Sequence, residues 1–147
     1  MTRTGEHMTR DEILALFARR RDAWRRHDAA ALAADHTEDC TLDSPMAGTV
    51  AGREAIRNVY QAWFTGFPDL TLDDEELIVD ADRVVQISIA SGTDTGGFME
   101  LPPTGRGFRN PMVFVYVLRG GQISQFRSVY DFVGVLVQIG MLKAKPV

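Results

Sequence analysis

Asp131 stands where a strand-like segment, Gln122–Tyr130, meets the apolar run Phe132–Met141. In a poorly hydrated pocket a carboxylate's charged form is disfavoured, so its pKa climbs towards the working pH. One such group can then take a proton and later return it. An Asp at a strand-to-helix junction is also a good N-cap, and the two roles are compatible. Strand alternation puts Gln125, Arg127, Val129 and Asp131 on one face and Phe126, Ser128 and Tyr130 on the other. A guanidinium at Arg127 beside Asp131 lowers the carboxylate's pKa and keeps it anionic, while a salt bridge to a neighbouring strand is the plainer role for Arg127. Asp94, set among Gly92, Gly96 and Gly97, is a second acid whose plainer role is that of a turn residue. Asp43, next to Ser44 and Pro45, is either a polar wall residue or a solvated strand end.

The rest of the chemistry-bearing set is apolar. Trp24, Met46, Tyr60, Trp63, Phe64, Phe67, Phe98 and Met99 are core residues one by one. Together they suit the wall of a pocket for a flat, bulky, apolar ligand with few polar groups to orient it. The segment Gly96–Gly107, with paired Gly and paired Pro, reads as a lid or as an irregular dimer contact. His27 and His36 lack metal-ligand spacing and read as solvated or capping groups; Cys40 has no base partner and reads as a small buried hydrophobe. No phosphate-cradling Gly loop, HExxH, CxxC, GxSxG or EF-hand spacing occurs, so neither a metal nor a bound cofactor is expected.

Charge narrows the partners. Lys plus Arg is 16 and Asp plus Glu is 20, a net charge of −4 without a basic block, so nucleic acid is not an expected partner. The longest apolar runs are too short to span a bilayer and Met1–Arg10 is polar, so a cytoplasmic protein away from membranes is expected.

These residues must be positioned by one domain: 147 residues, 45% apolar, with no repeat or linker. We expect a flexible leader over 1–8, the domain over 9–142 and a tail over 143–147. Thr9 and Glu12 have capping-box spacing ahead of Ile13, Leu16, Phe17 and Trp24, which starts the first helix. Asp28–Asp35 predicts a short Ala-rich helix, Cys40–Ser44 a short strand, and Gly52–Phe64 a helix stopped by Gly66 and Pro68. Leu70–Val79, Arg83–Gly92, Phe108–Arg119 and Gln122–Tyr130 are strand-like, with the last two joined as a hairpin at Gly120 and Gly121. Helices followed by an antiparallel meander make an α+β domain, its curved sheet folded around helices.

Several stretches carry a resemblance. The run Ser91–Arg106 reads Ser-Gly-Thr-Asp-Thr-Gly-Gly-Phe-Met-Glu-Leu-Pro-Pro-Thr-Gly-Arg. It resembles the loop of SnoaL-like polyketide cyclases, where Gly-Thr-His-Thr-Gly precedes Pro-Pro-Thr-Gly and a basic residue. Asp43 to Pro45 with Gly48, Gly52–Ile56, Phe67–Leu70, and Tyr130 and Asp131 followed by Leu136, Gln138 and Gly140 are similar to the same pattern. The resemblance spans about residues 9 to 142. It implies a nuclear transport factor 2-like cone, an α+β barrel with N-terminal helices packed on a mostly antiparallel sheet around a deep apolar pocket. It also implies a homodimer or higher oligomer and cofactor-independent ring closure on a bulky apolar substrate, with Asp131 as the acid/base residue. This chain has Asp94 where the family usually has His, and Arg127 where it usually has an aromatic residue. If Asp94, Arg127 and Asp131 converge, they resemble the Asp–Arg–Asp set of limonene epoxide hydrolase-like enzymes of the same fold. Epoxide opening or a hydroxylase-like reaction is therefore one alternative, and a non-catalytic binding module is another.

Overall fold

The structure is a computed structural model and describes residues 7–143. Helix α1 (Arg10–Arg25) begins at the expected capping box: Thr9 Oγ1 accepts the Glu12 N–H at 3.1 Å, and Glu12 Oε1 accepts the Thr9 N–H at 3.1 Å. Its buried stripe is Ile13, Leu16, Phe17, Arg20 and Ala23. The Asp28 carboxylate caps helix α2 (Ala29–Ala34) by accepting the Ala31 N–H at 3.0 Å. Helix α3 (Arg53–Gly66) buries Ile56, Tyr60 and Phe64, four residues apart and hence on one face.

The strands are β1 (His36–Ser44), β2 (Gly48–Ala51), β3 (Thr71–Asp80), β4 (Arg83–Thr93), β5 (Gly107–Arg119) and β6 (Gln122–Tyr130), followed by helix α4 (Phe132–Gln138). They form one sheet in the order β2-β1-β6-β5-β4-β3. The meander β3 to β6 is antiparallel throughout, and Gly120 (φ 59°) and Gly121 (φ 82°) make the β5–β6 turn in the left-handed region that this hairpin requires. Beyond β6 the sheet is extended by β1, which pairs with it in parallel, Leu42 opposite Phe126 and Asp43 opposite Arg127. The sheet curves around the helices without closing, with β2 and β3 at its edges. Along β5 the inner face carries Phe108, Asn110, Met112, Phe114, Tyr116 and Leu118, all buried.

Residues 1–6 of the expected leader and 144–147 of the expected tail lie outside the described residues, while Met8 packs against the core. Strand β1 starts at His36 rather than Cys40, because its N-terminal half pairs near Ile123 of β6. Strand β2 was not expected from the sequence; it has four residues, three of them exposed, and so offers no apolar alternation to read.

Candidate active site

A cavity lies between α1, α3 and the inner face of the sheet. Trp24 closes it from α1, and Val59, Tyr60 and Trp63 from α3; Leu42, Ala90, Met112, Phe114 and Phe126 form its floor on the sheet. The cavity proper is about 40 Å³, and with its open mouth the empty space comes to about 520 Å³. That holds a few water molecules at most, so a larger ligand enters only if side chains of the wall move. Trp24, Leu70 and Leu72 also line an adjoining surface groove with Arg21, Arg25, Thr71 and Asp73, which makes the indole part of the partition between groove and cavity.

Residues with polar side-chain atoms are few in this wall: Ser44, Ser128, Tyr60, Tyr130, Trp24 and Trp63. Ser44 Oγ is engaged in its own turn, accepting the Ala47 N–H at 3.0 Å. Tyr60 is held from behind. Arg20 Nη2 donates to its oxygen at 2.7 Å and His36 Nε2 lies 2.9 Å away. A guanidinium only donates, so the Tyr60 proton has His36 Nε2 as its acceptor, which leaves the His36 proton on Nδ1. That Nδ1 has no hydrogen-bond partner. Burial, with Arg20 and Arg53 adding positive charge, pushes His36 down to about 3, so the ring is neutral at physiological pH. Burial raises the Tyr60 phenol despite Arg20. Arg20 also donates through Nη1 to Leu32 O at 3.1 Å and to Asp35 Oδ2 at 3.2 Å, and its guanidinium faces the Tyr60 and Tyr116 rings.

Tyr130 and Trp24 differ from Tyr60. The Tyr130 hydroxyl and Trp24 Nε1 are sealed from solvent and neither has a hydrogen-bond partner. Burial lifts the Tyr130 phenol well above its ordinary range, with the Met46 backbone N–H facing it as a partial counterweight outside hydrogen-bond geometry.

The three residues singled out for acid/base work do not converge. Asp131 is exposed, and its carboxylate caps α4, Oδ1 accepting the Gly134 N–H at 2.8 Å. Arg127 is exposed on the outer face of β6, in register with exposed Asp43 of β1. The alternation along β6 is as expected, but the face turned to the cavity is that of Phe126, Ser128 and Tyr130. Asp94 is fully buried, and its carboxylate is engaged by its own loop. Its Oδ1 accepts the N–H groups of Gly97 (3.2 Å) and Phe98 (3.1 Å), and its Oδ2 accepts the Thr104 N–H and Oγ1–H, each at 3.1 Å. An Asp–Arg–Asp set for epoxide opening is therefore not assembled.

Of the expected wall residues, Trp24, Tyr60 and Trp63 line the cavity. Phe64 is core, stacked on His27 at 4.5 Å and edge-on to Trp24 at 5.4 Å. Met46 packs against the core without lining the cavity. Phe98 is buried against Trp63 and Phe67, both at 4.8 Å, while Met99 beside it is 46% exposed. The loop carrying them is no lid over this cavity. A Cβ on Gly96 would come within 1.8 Å of Thr65 O, and the Gly96 N–H donates to Gly66 O at 3.1 Å, so the proposed hinge is pinned to the end of α3. His36 and His27 are packed rather than solvated, the latter bonded through Nε2 to Leu70 O at 2.8 Å. Cys40 is fully buried.

Several wall residues escaped the sequence reading: Phe126, Ser128 and Tyr130 on β6, Met112 and Phe114 on β5, and Ala90 on β4. The available signal was polarity, since the β6 face with Gln125 and Arg127 is the one that belongs in solvent. Among the described residues no group of acidic, His and Cys side chains is arranged to hold a metal ion, and no helix is long and apolar enough to cross a membrane.

Solved structures share this architecture. AclR from Streptomyces galilaeus, described as a candidate hydroxylase, superposes with a TM-score of 0.80 at 24% identity, covering 94% of this chain and 87% of its own. IdmH from Streptomyces antibioticus, described as a candidate polyketide cyclase, gives 0.70 at 29% identity over 88% of this chain and 96% of its own. A candidate SnoaL-like polyketide cyclase from Jannaschia gives 0.68 at 28% identity, over 86% and 80%. Among curated proteins none matches the chain. The model of the SnoaL-like polyketide cyclase family matches residues 15–139, nearly the whole of the fold that encloses the cavity. With a curved sheet, a helical cover and an apolar chamber between them, the chain belongs to the SnoaL-like polyketide cyclase family.

Proposed function

We propose that this chain is a cofactor-independent enzyme that closes a ring on a bulky, largely apolar, oxygen-bearing small molecule held in the cavity. The observation that carries the reading is the wall itself, aromatic and aliphatic on nearly every side, with polar side-chain atoms only on two serines, two tyrosines and two tryptophans. Such a wall folds an extended precursor against rigid rings, which removes much of the entropic barrier to an intramolecular carbon–carbon bond. Excluded water strengthens each remaining polar contact with the oxygen that gains charge. Movement of the Trp24 indole joins the cavity to the neighbouring groove and gives the substrate its way in.

The test is turnover of ring precursors of the aromatic polyketide type, followed by product mass and absorbance. Ala90→Leu fills the floor of the cavity with an added isopropyl group, and displacing the substrate by about 1 Å is expected to cost about 100-fold in turnover. Asp131→Asn is the control, because Asn caps as well as Asp and leaves the cavity untouched. It is expected to stay folded and to keep most of the activity. Full activity in Ala90→Leu, or loss confined to Asp131→Asn, places the chemistry outside the cavity and overturns the proposal. Tight retention of precursor without product makes the chain a binding module instead.

A further inference from the structure

Counting protons in the cavity wall exposes an imbalance. Tyr130 and Trp24 each present a sealed polar group that has no hydrogen-bond partner. The indole nitrogen can only donate. The phenol oxygen faces the Met46 backbone N–H, which is also only a donor, so the Tyr130 proton has no acceptor on either count. Buried polar groups are normally satisfied, and each one left without a partner is costly. The two residues line the same chamber and come from different elements, α1 and the end of β6. What the wall lacks is an acceptor.

We propose that Tyr130 is the group that binds the substrate's reacting oxygen, with the Trp24 indole N–H donating to a second oxygen of the same molecule, so that the cavity selects aromatic ketones over hydrocarbons and over ligands that bring only donors. This rests on the proposed ring closure and assigns its oxygen-binding group. The precursor reacts as the enol of a 1,3-dicarbonyl: the enol C=C electron pair forms the new carbon–carbon bond, the π-pair of the other carbonyl moves onto its oxygen, that alkoxide takes the Tyr130 proton, and the enol O–H returns a proton to the Tyr130 phenolate. The high phenol pKa suits this role, since the hydroxyl keeps its proton at neutral pH and remains a donor. Asp131 remains at its cap, outside the exchange.

The test separates this assignment from the reading beneath it by using two probes of nearly equal shape, the aromatic ketone α-tetralone and its carbonyl-free analogue tetralin. Dissociation constants of both are measured for the natural chain, Tyr130→Phe and Trp24→Phe, with the carbonyl stretch of bound α-tetralone recorded by infrared spectroscopy. The natural chain should prefer the ketone, with its stretch lowered relative to the ketone in alkane solvent. Tyr130→Phe removes one oxygen from a buried site and is expected to cut the preference by about tenfold while leaving tetralin bound as well as before. The stretch should return towards the alkane value. A merely structural tyrosine would weaken both probes together. An unchanged preference and stretch in Tyr130→Phe overturn the assignment while leaving the cavity as the binding site. Failure of the natural chain to bind either probe overturns the ring-closure reading itself.

Discussion

Replacing Arg20 by methionine is expected to destabilise the fold by about 3 kcal/mol, although the methionine occupies much the same volume. Arg20 is 2% exposed and sits behind the cavity wall, where it donates to Tyr60 Oη, Leu32 O and Asp35 Oδ2. Burial works against its charge, and Tyr60, Tyr116 and Asp35 together outweigh that cost. Removing the cation leaves the Tyr60 oxygen without its donor, leaves the Leu32 carbonyl with only the Asp35 N–H at 3.4 Å, and strips the Asp35 carboxylate of its counter-charge. Asp35 is the least buried of the three, at 23% exposure, so water recovers part of the loss and the figure belongs at the lower end for a broken buried pair. For a chain of this size about 3 kcal/mol corresponds to a fall in Tm of about 10 °C. Urea unfolding monitored by tryptophan fluorescence measures it, and a midpoint within error of the natural chain would show that Arg20 is a spectator. Because Tyr60 forms part of the cavity wall, a ligand affinity measured on the surviving folded fraction should fall as well.

Asp94→Ala is expected to cost a comparable amount, about 3 kcal/mol, for a different reason. The Asp94 carboxylate gathers Gly97 N–H, Phe98 N–H, Thr104 N–H and Thr104 Oγ1–H from both arms of the loop between β4 and β5. Backbone amides bonded to a buried carboxylate form charge-assisted bonds, and no alanine side chain replaces them. Gly97 and Thr104 lie near enough to solvent to recruit water, whereas the Phe98 amide is buried. Its side chain, fully buried against Trp63 and Phe67, is the loop's anchor, so the effect should reach the helix that forms one cavity wall. Limited proteolysis supplies the local readout. Cleavage within residues 95–106 should appear in Asp94→Ala under conditions where the natural loop is resistant; equal resistance would contradict the role given to the carboxylate. Asp94→Asn should rescue little, since its amide turns a donor towards donors.

Much of the architecture could be read from local signals because those signals act locally. The Thr9–Glu12 spacing specifies a reciprocal cap, paired glycines at 120 and 121 allow the tight hairpin, and strands β3 to β6 follow one another as neighbours. The pairing of β1 with β6 joins segments about eighty residues apart and leaves no local trace. Site residues were legible where bulk decided the matter, as at Trp24, Tyr60 and Trp63, and misleading where charge suggested chemistry. Alternation tells which β6 residues share a face without telling which face is inward. Gln125 and Arg127 held that information, because an unpaired guanidinium belongs in water. The Asp131 reading met two compatible roles at one junction, and the structure shows the cap. The Asp94 carboxylate organises a loop, a role set by amides up to ten residues away that no single-residue reading sees. The donor surplus at Tyr130 and Trp24 was invisible in the same way, since it consists of partners that the fold does not provide.

The most direct test of the account is a crystal structure of the chain with an aromatic ketone or ring-precursor analogue bound. The ligand is expected between Trp24, Trp63 and Phe114, with the Trp24 indole displaced to admit it and a carbonyl oxygen within hydrogen-bond distance of Tyr130 Oη. A ligand lying on the outer face of the sheet beside Arg127 and Asp131, with the chamber still closed behind Trp24, would contradict it.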